Sequence, residues 1–180
     1  MTANKFKLLF KHLWFDASDA RRAIGPEVLE RLTKRVADSE HRHTGQLRIC
    51  VEAALPMSYL WRLGGNITLA HLIRQRAVML FSKLRVWDTE HNNGVLIYLQ
   101  LAERAIEIVA DRSLCRQVPQ SDWQAMTLRM SAAFSAGRFE DGLTEALEEG
   151  TVLLTAHFPA SAALESLQQN NDLPDEPVLQ

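Results

Sequence analysis

The feature that most constrains this chain is the strand-like segment Val95 to Leu101, entered directly from Asn92-Asn93-Gly94. Its apolar residues do not alternate with polar ones, so both faces of the strand must be covered. A strand of that kind belongs in the middle of a sheet with helices above and below it. No other segment says as much about the architecture.

The flanking pattern agrees. Leu47, Ile49, Val51 and Ala53 alternate with Arg48, Cys50 and Glu52, the period-2 signature of a strand. Between the two strands, Thr68 can cap a long helix with a stripe of Leu69, Leu72, Ile73, Ala77, Leu80, Phe81 and Leu84. Arg76 is the polar entry in that stripe, and its stem can lie along apolar surface. After the central strand, Ala102-Glu103-Arg104 turns tightly into Ala105 to Ala110, predicting an antiparallel hairpin. The segment Pro56 to Asn66, with its glycines and mixed polarity, reads as a loop.

Helices complete the pattern. Gly25-Pro26-Glu27 opens one with a proline where its missing N–H costs nothing, Leu29, Leu32 and Val36 mark its face, and Gly45 stops it. Ser121 and Gln124 predict a capping box for a helix carrying Trp123, Met126, Met130, Ala133 and Phe134 as core stripe. Gly137 breaks it, and Leu143, Ala146, Leu147, Leu153 and Leu154 mark another. The order is helix, helix, strand, helix, strand, strand, helix, helix. A strand–helix–strand unit followed by a hairpin implies a mixed sheet sandwiched by helices. Residues 159–180, rich in Gln, Asn, Asp and Pro, are expected to form a disordered, mobile tail.

The first 15 residues predict a basic amphipathic helix, with Phe6, Leu9, Phe10 and Leu13 at helical spacing among Lys5, Lys7, Lys11 and His12. It can pack on the domain or on a partner subunit. Alternatively, residues 5–15 make a weak membrane-surface contact with Trp14 and Phe15 at the interface.

Bulk properties exclude several classes. With 180 residues, 47% hydrophobic and 23% charged, the chain suits one soluble domain with a short segment at each end. A net charge of −2 supplies no general attraction to nucleic acid. The basic helical face of Arg21, Arg22, Arg31, Lys34 and Arg35 has no interleaved aromatic platform, so a solvated face is expected and no nucleic-acid partner. Cys50 and Cys115 lack CxxC spacing; they could pair, but the expectation is two buried thiols in a reducing compartment. No apolar run approaches the ~20 residues of a membrane span. The start Met1-Thr2-Ala3-Asn4-Lys5 has no secretory pattern, so a cytoplasmic location is expected.

The loop Trp87 to Gly94 is the place to look for chemistry. Asp88, Glu90, His91, Asn92 and Asn93 stand together at the mouth of the central strand. Asp111 follows the next strand, and because a hairpin sets the end of one strand beside the start of the other, it should approach Asn92-Asn93. Asp88, Glu90, Asn92, Asn93 and Asp111 would suit a hard cation such as Ca2+ or Mg2+, which takes oxygens from carboxylates, amides and carbonyls. The other reading is that Asn92, Asn93 and Gly94 supply left-handed turn conformations while the carboxylates are solvated. Glu40 and His43 share a helical face used elsewhere for metals, but with His41 they read as surface groups at a helix C-terminus. His71 and His157 read as structural. No organic cofactor is expected, since there is no P-loop, GxSxG or HExxH motif.

At this point the residues resemble a known family. Asn92-Asn93-Gly94-Val95-Leu96-Ile97 looks like the "NNGVLLL" signature of the TPM domain (DUF477). Ile106-Glu107-Ile108 followed by Leu114 is similar to that family's next strand and turn, and Phe134-Ser135-Ala136-Gly137-Arg138-Phe139-Glu140-Asp141-Gly142-Leu143 resembles its "F+.GdY..GL" segment. Asp19-Ala20, Leu29 and Glu40 to Leu47 match more loosely. The likeness spans residues 16–158.

The resemblance implies a three-layer α/β/α sandwich with a mixed, Rossmann-like sheet. Members of the family include a thylakoid protein with reported acid phosphatase activity and calcium binding, and many bacterial members carry signal peptides and membrane anchors. The chain differs where the family has a Gly-aromatic-Gly turn, here Asp111-Arg112-Ser113, and where a Trp-Gly-Ile-Gly run precedes the signature, here Arg85 to His91. Two functions follow as expectations. One is a non-catalytic accessory or interaction role in a membrane- or envelope-related process, with a protein partner, itself a candidate membrane-anchored protein. The other is a weak metal-dependent acid phosphatase with Arg85, His91 and Arg112 as phosphate contacts.

Overall fold

The computed structural model describes residues 3–160 and 172–180. Four strands, β1 (Gln46–Glu52), β2 (Gly94–Gln100), β3 (Ala105–Ala110) and β4 (Val178–Leu179), form one mixed sheet in the order β3-β2-β1-β4. β1 is parallel to β2 and β4, while β2 and β3 form the expected antiparallel hairpin. The α/β sandwich read from the central strand is present.

Both faces are covered, as the unalternating β2 requires. Leu47, Ile49 and Val51 of β1 and Val95, Ile97 and Leu99 of β2 join a core completed by α2 (Ala17–Ala23), α3 (Pro26–Glu40), α7 (Gln120–Ser135) and α8 (Phe139–His157). Cys50, Leu96 and Tyr98 face the other core, built from α1 (Ala3–Trp14), α4 (Met57–Leu60) and α5 (Leu69–Lys83). β1 therefore has no solvent face. Arg48 and Glu52, which the alternating pattern would place in water, are buried and hydrogen-bonded.

Local signals hold at several boundaries. The Thr68 side chain accepts the His71 N–H at the start of α5, at 3.2 Å. Pro26 opens α3, and Gly137, at φ +77°, takes the left-handed conformation that ends α7.

Other expectations are corrected. α2 and the six-residue α6 (Arg112–Gln117) are additional helices, each begun by an aspartate: Asp16 and Asp19 make a reciprocal capping box, and Asp111 caps α6. The supposed loop 56–66 contains α4. α3 ends at Glu40 rather than at Gly45, which instead lets the chain pass Leu154 closely at the entry to β1. There is no Ser121–Gln124 capping box, because the helix starts earlier, with Pro119 at its N-cap, and Ser121 Oγ donates to Asp122.

The expected mobile tail is the largest correction. Residues 172–180 lie along the outer edge of β1, with Leu173 buried, Gln46 accepting the Leu173 N–H, and Gln180 exchanging backbone hydrogen bonds with Val51 and Ala53. Arg48 explains how so polar a segment is held: its guanidinium, lodged in the protein, donates to the carbonyls of Pro174 and Glu176. These are charge-assisted bonds to a backbone that would otherwise stay in water. Residues 161–171 of that expected tail lie outside the described residues.

Candidate functional site

The polar side chains gather at the two ends of the parallel strands. At the amino end, Asp111 donates its backbone N–H to Gly94 O at 2.9 Å, so the approach inferred from hairpin topology is realised. Asp111 Oδ1 accepts the Arg112 N–H at 2.6 Å, while Oδ2 is buried without a hydrogen-bond partner among the described residues. Asn93 is turned inward: its N–H donates to Thr89 Oγ1 (3.1 Å) and its amide to Thr44 Oγ1 (3.4 Å). Gly94 is required by space, because a Cβ there would lie 2.0 Å from the Val86 carbonyl oxygen.

The remaining loop residues point elsewhere. Asp88 pairs with Arg85 across one exposed turn. Glu90 is exposed and its backbone N–H donates to Asp172 at 3.1 Å. Asn92 is exposed at φ +51°, the left-handed turn conformation. His91 and Arg112 are exposed. The structure thus joins Asn93 and Asp111 through Gly94 and leaves Asp88, Glu90 and Asn92 on the outer surface of the loop. Among the described residues, no three His, Cys, Asp or Glu side chains gather in an arrangement that could hold a metal ion.

Behind this loop lies a buried network that the sequence reading placed on the surface. Glu40 and His43 are 8% and 0% exposed. Ser39 Oγ bridges His43 Nε2 (2.8 Å) and Thr151 Oγ1 (2.6 Å), tying α3 to α8, and His43 Nδ1 lies 3.0 Å from Gly45 O. Burial pushes the His43 imidazole down to about 4. Glu40 accepts the Leu47 N–H at 3.3 Å, and burial, reinforced by Asp175 and Asp172, pushes its carboxyl up to about 8. His41 alone of the three is on the surface. The signal available in the sequence was the small Ser39 and Thr151 at helix-packing positions, which by themselves do not reveal burial.

The carboxyl ends of β1 and β2 are where open α/β sheets bind ligands. Here that crevice is filled by the protein itself. Glu52 accepts both Arg76 Nε–H contacts at 3.0 Å and the Tyr98 hydroxyl at 2.6 Å, and Arg76 lies 5.5 Å from the Tyr59 ring centroid. Burial, together with the Glu52 carboxylate, raises the Tyr98 phenol far above its usual value. His12 of α1 closes the crevice, with Nδ1 accepting the Leu55 N–H (3.1 Å) beyond β1 and Nε2 lying 3.1 Å from Glu103 beyond β2.

That contact also decides how α1 packs. Leu9 and His12 face inward and Lys5 donates to the carbonyls of Trp61 (3.2 Å) and Leu63 (2.6 Å). The apolar stripe read from the sequence is therefore split. Leu9 is buried, whereas Phe6, Phe10, Leu13 and Trp14 are 53%, 62%, 62% and 79% exposed. No helix among the described residues is long and apolar enough to cross a membrane.

Comparison with known families now places the chain. The family model of the TPM domain matches residues 18–150. The chain belongs to the TPM-domain family. Its fold is similar to the NMR structure of the BA42 protein from the psychrophilic bacterium Bizionia argentinensis, with a TM-score of 0.68 and 21% identity over 86% of this chain and 94% of that one. No curated protein matches it. The matched residues of the TPM domain include the loop 87–94, Asp111, Glu40 and His43, and begin after α1.

Proposed function

We propose that this TPM-domain protein is a non-catalytic accessory protein that works at a membrane surface, with α1 as the contact. The observation that carries the reading is the split face of α1. One side is clamped to the domain through Leu9, His12 and Lys5, so the helix is held in place rather than tethered. The other offers Phe6, Phe10, Leu13 and Trp14 to solvent beside Lys7, and the helix contains no acidic residue. Aromatic and aliphatic side chains flanked by lysine suit the interface of an anionic bilayer, and one short helix gives weak, reversible attachment. The same helix covers the carboxyl ends of the parallel strands, where an α/β enzyme would bind substrate.

Flotation with phosphatidylglycerol-containing vesicles tests this. The full chain should float with them, less with purely zwitterionic vesicles, and a Phe10→Ser/Trp14→Ser variant should stay in the dense fraction. Equal recovery of both proteins in the dense fraction would refute it, as would flotation indifferent to the variant. If the lysines and aromatics instead meet a membrane-anchored protein partner, vesicles alone will not float the chain.

A second reading rests on the orphaned Asp111 Oδ2. A buried carboxylate oxygen with no donor is costly, and a hard cation would satisfy it, taking its remaining oxygens from the adjoining backbone and from water. Ca2+ or Mg2+ would suit that oxygen, with Asp88, Glu90 and Asn92 having to turn inward from the outer surface of the loop to join it. A metal-dependent phosphatase would build on that cation, with Arg85, His91 and Arg112 as the phosphate contacts.

A further inference from the structure

A separate cavity opens at the free edge of β3, toward its carboxyl end. β3 is the outermost strand of the sheet, with α5 packed on one face and α7 on the other. Where these helices part, a cavity of about 490 Å³ is left, a volume within the usual range for small-molecule sites. Its lining combines apolar surface from Ile108, Ala110 and Leu128 with Trp123, Cys115 and the ion pair of Arg74 and Glu107, in which the guanidinium offsets the one carboxylate at the wall.

Two of these side chains have donors to spare. Trp123 is only 9% exposed, and its Nε1 is buried with no acceptor among the described residues. An indole N–H left in that state is costly, so native proteins keep few of them. Arg74 is engaged through Nη1 alone, at 2.5 Å from Ile108 O and 3.2 Å from Glu107 Oε2. Its Nε and Nη2 make no hydrogen bond to the described residues, so half of the planar fork is unused. The group that satisfies an indole N–H and a guanidinium together is a carboxylate, whose two oxygens offer about four acceptor sites.

We propose that this cavity binds a small organic carboxylate, its oxygens on Trp123 Nε1–H and Arg74 and its apolar part against Ile108, Ala110 and Leu128. Binding requires a small adjustment of the ring, because Nε1 is closed to water in the unliganded protein. Cys115 lies at the cavity wall and donates weakly to Ala110 O at 3.4 Å. A seated ligand would cover it. Cys50 cannot confuse that measurement, since it is fully buried and its thiol is pushed up to about 12 by that burial.

Sodium benzoate is the probe, titrated into the full chain and followed by the indole N–H resonance of Trp123, assigned with Trp123→Phe. Benzoate should shift that resonance and the Thr127 and Leu128 amides saturably at millimolar concentration. It should also slow iodoacetamide alkylation of Cys115. Arg74→Gln should weaken binding about tenfold or more, the scale of one charge-assisted hydrogen bond, and benzyl alcohol should bind worse by a similar factor. If Trp123→Phe lowers stability, Arg74→Gln carries the test alone. Absence of a saturable shift, an equal response to benzyl alcohol, or affinity unchanged in Arg74→Gln would overturn the proposal. None of these outcomes bears on the membrane contact of α1.

Discussion

Replacing Glu40 by glutamine should change how stability depends on pH, and the two buried titrating groups set the size of the effect. Glu40 is raised from 4.5 to about 8 by burial, with Asp175 and Asp172 adding to the shift. Between those values the folded chain holds a proton that the unfolded chain has lost, so stability falls as pH rises. His43 is lowered from 6.5 to about 4 by burial. Between those values the unfolded chain holds the extra proton, and stability rises with pH. In the overlap, from 4.5 to 6.5, the two slopes oppose each other and nearly cancel.

Above 6.5 only the Glu40 slope remains, at about 1.4 kcal/mol per pH unit. Over the interval to about 8 the loss is roughly 2 kcal/mol, a sizeable share of the 5–15 kcal/mol typical of a domain. Urea unfolding at pH 6.5 and again above pH 8 measures it. The wild-type chain should lose roughly 2 kcal/mol between the two conditions, whereas Glu40→Gln, which keeps an acceptor for the Leu47 N–H, should lose much less. Glu107, raised by burial and partly restored by Arg74, leaves a smaller residue of the same sign. A wild-type stability that is flat across the interval, or a Glu40→Gln variant that loses as much as the wild type, would refute the reasoning.

Two further outcomes are expected. Arg48→Met removes the donors to the Pro174 and Glu176 carbonyls, so the amides of Ala53 and Gln180 should exchange with solvent about tenfold faster or more while the fold persists; unchanged protection would show that the terminal strand is held by other means. Ca2+ titrated into the full chain should shift amides around Asn93 and Arg112 at millimolar concentration or below, and Asp111→Asn should abolish the shifts; their persistence in the variant would remove Asp111 from any cation site.

Much of the fold was legible because its signals are local. The unalternating Val95–Leu101 segment demanded a central strand, Thr68 and Pro26 announced helix starts, and the short link Ala102 to Arg104 required a hairpin. That hairpin in turn placed Asp111 beside Gly94, the one part of the candidate site derived by topology. Failures occurred where a distant partner decides the environment. Glu40, at a helix end, reads as solvated until α8 and residues 172–180 cover it. The Pro- and Asp-rich end reads as a tail until buried Arg48 supplies donors for its carbonyls. In α1, periodicity found the apolar residues but not which of them would be buried.

By itself, the sequence determined the layered α/β architecture, the hairpin, the principal helices and the TPM-domain resemblance. All of these depend on periodicity, turn chemistry and motif order within short stretches. Only the tertiary structure decided that His12 bridges the loops after β1 and β2, that α1 keeps an aromatic face in solvent, that Glu40 and His43 are interior, and that Trp123 and Arg74 line one cavity at the edge of β3. Each of those depends on residues far apart in the chain coming together, and burial, the quantity that makes a polar group costly or useful, exists only once they have done so.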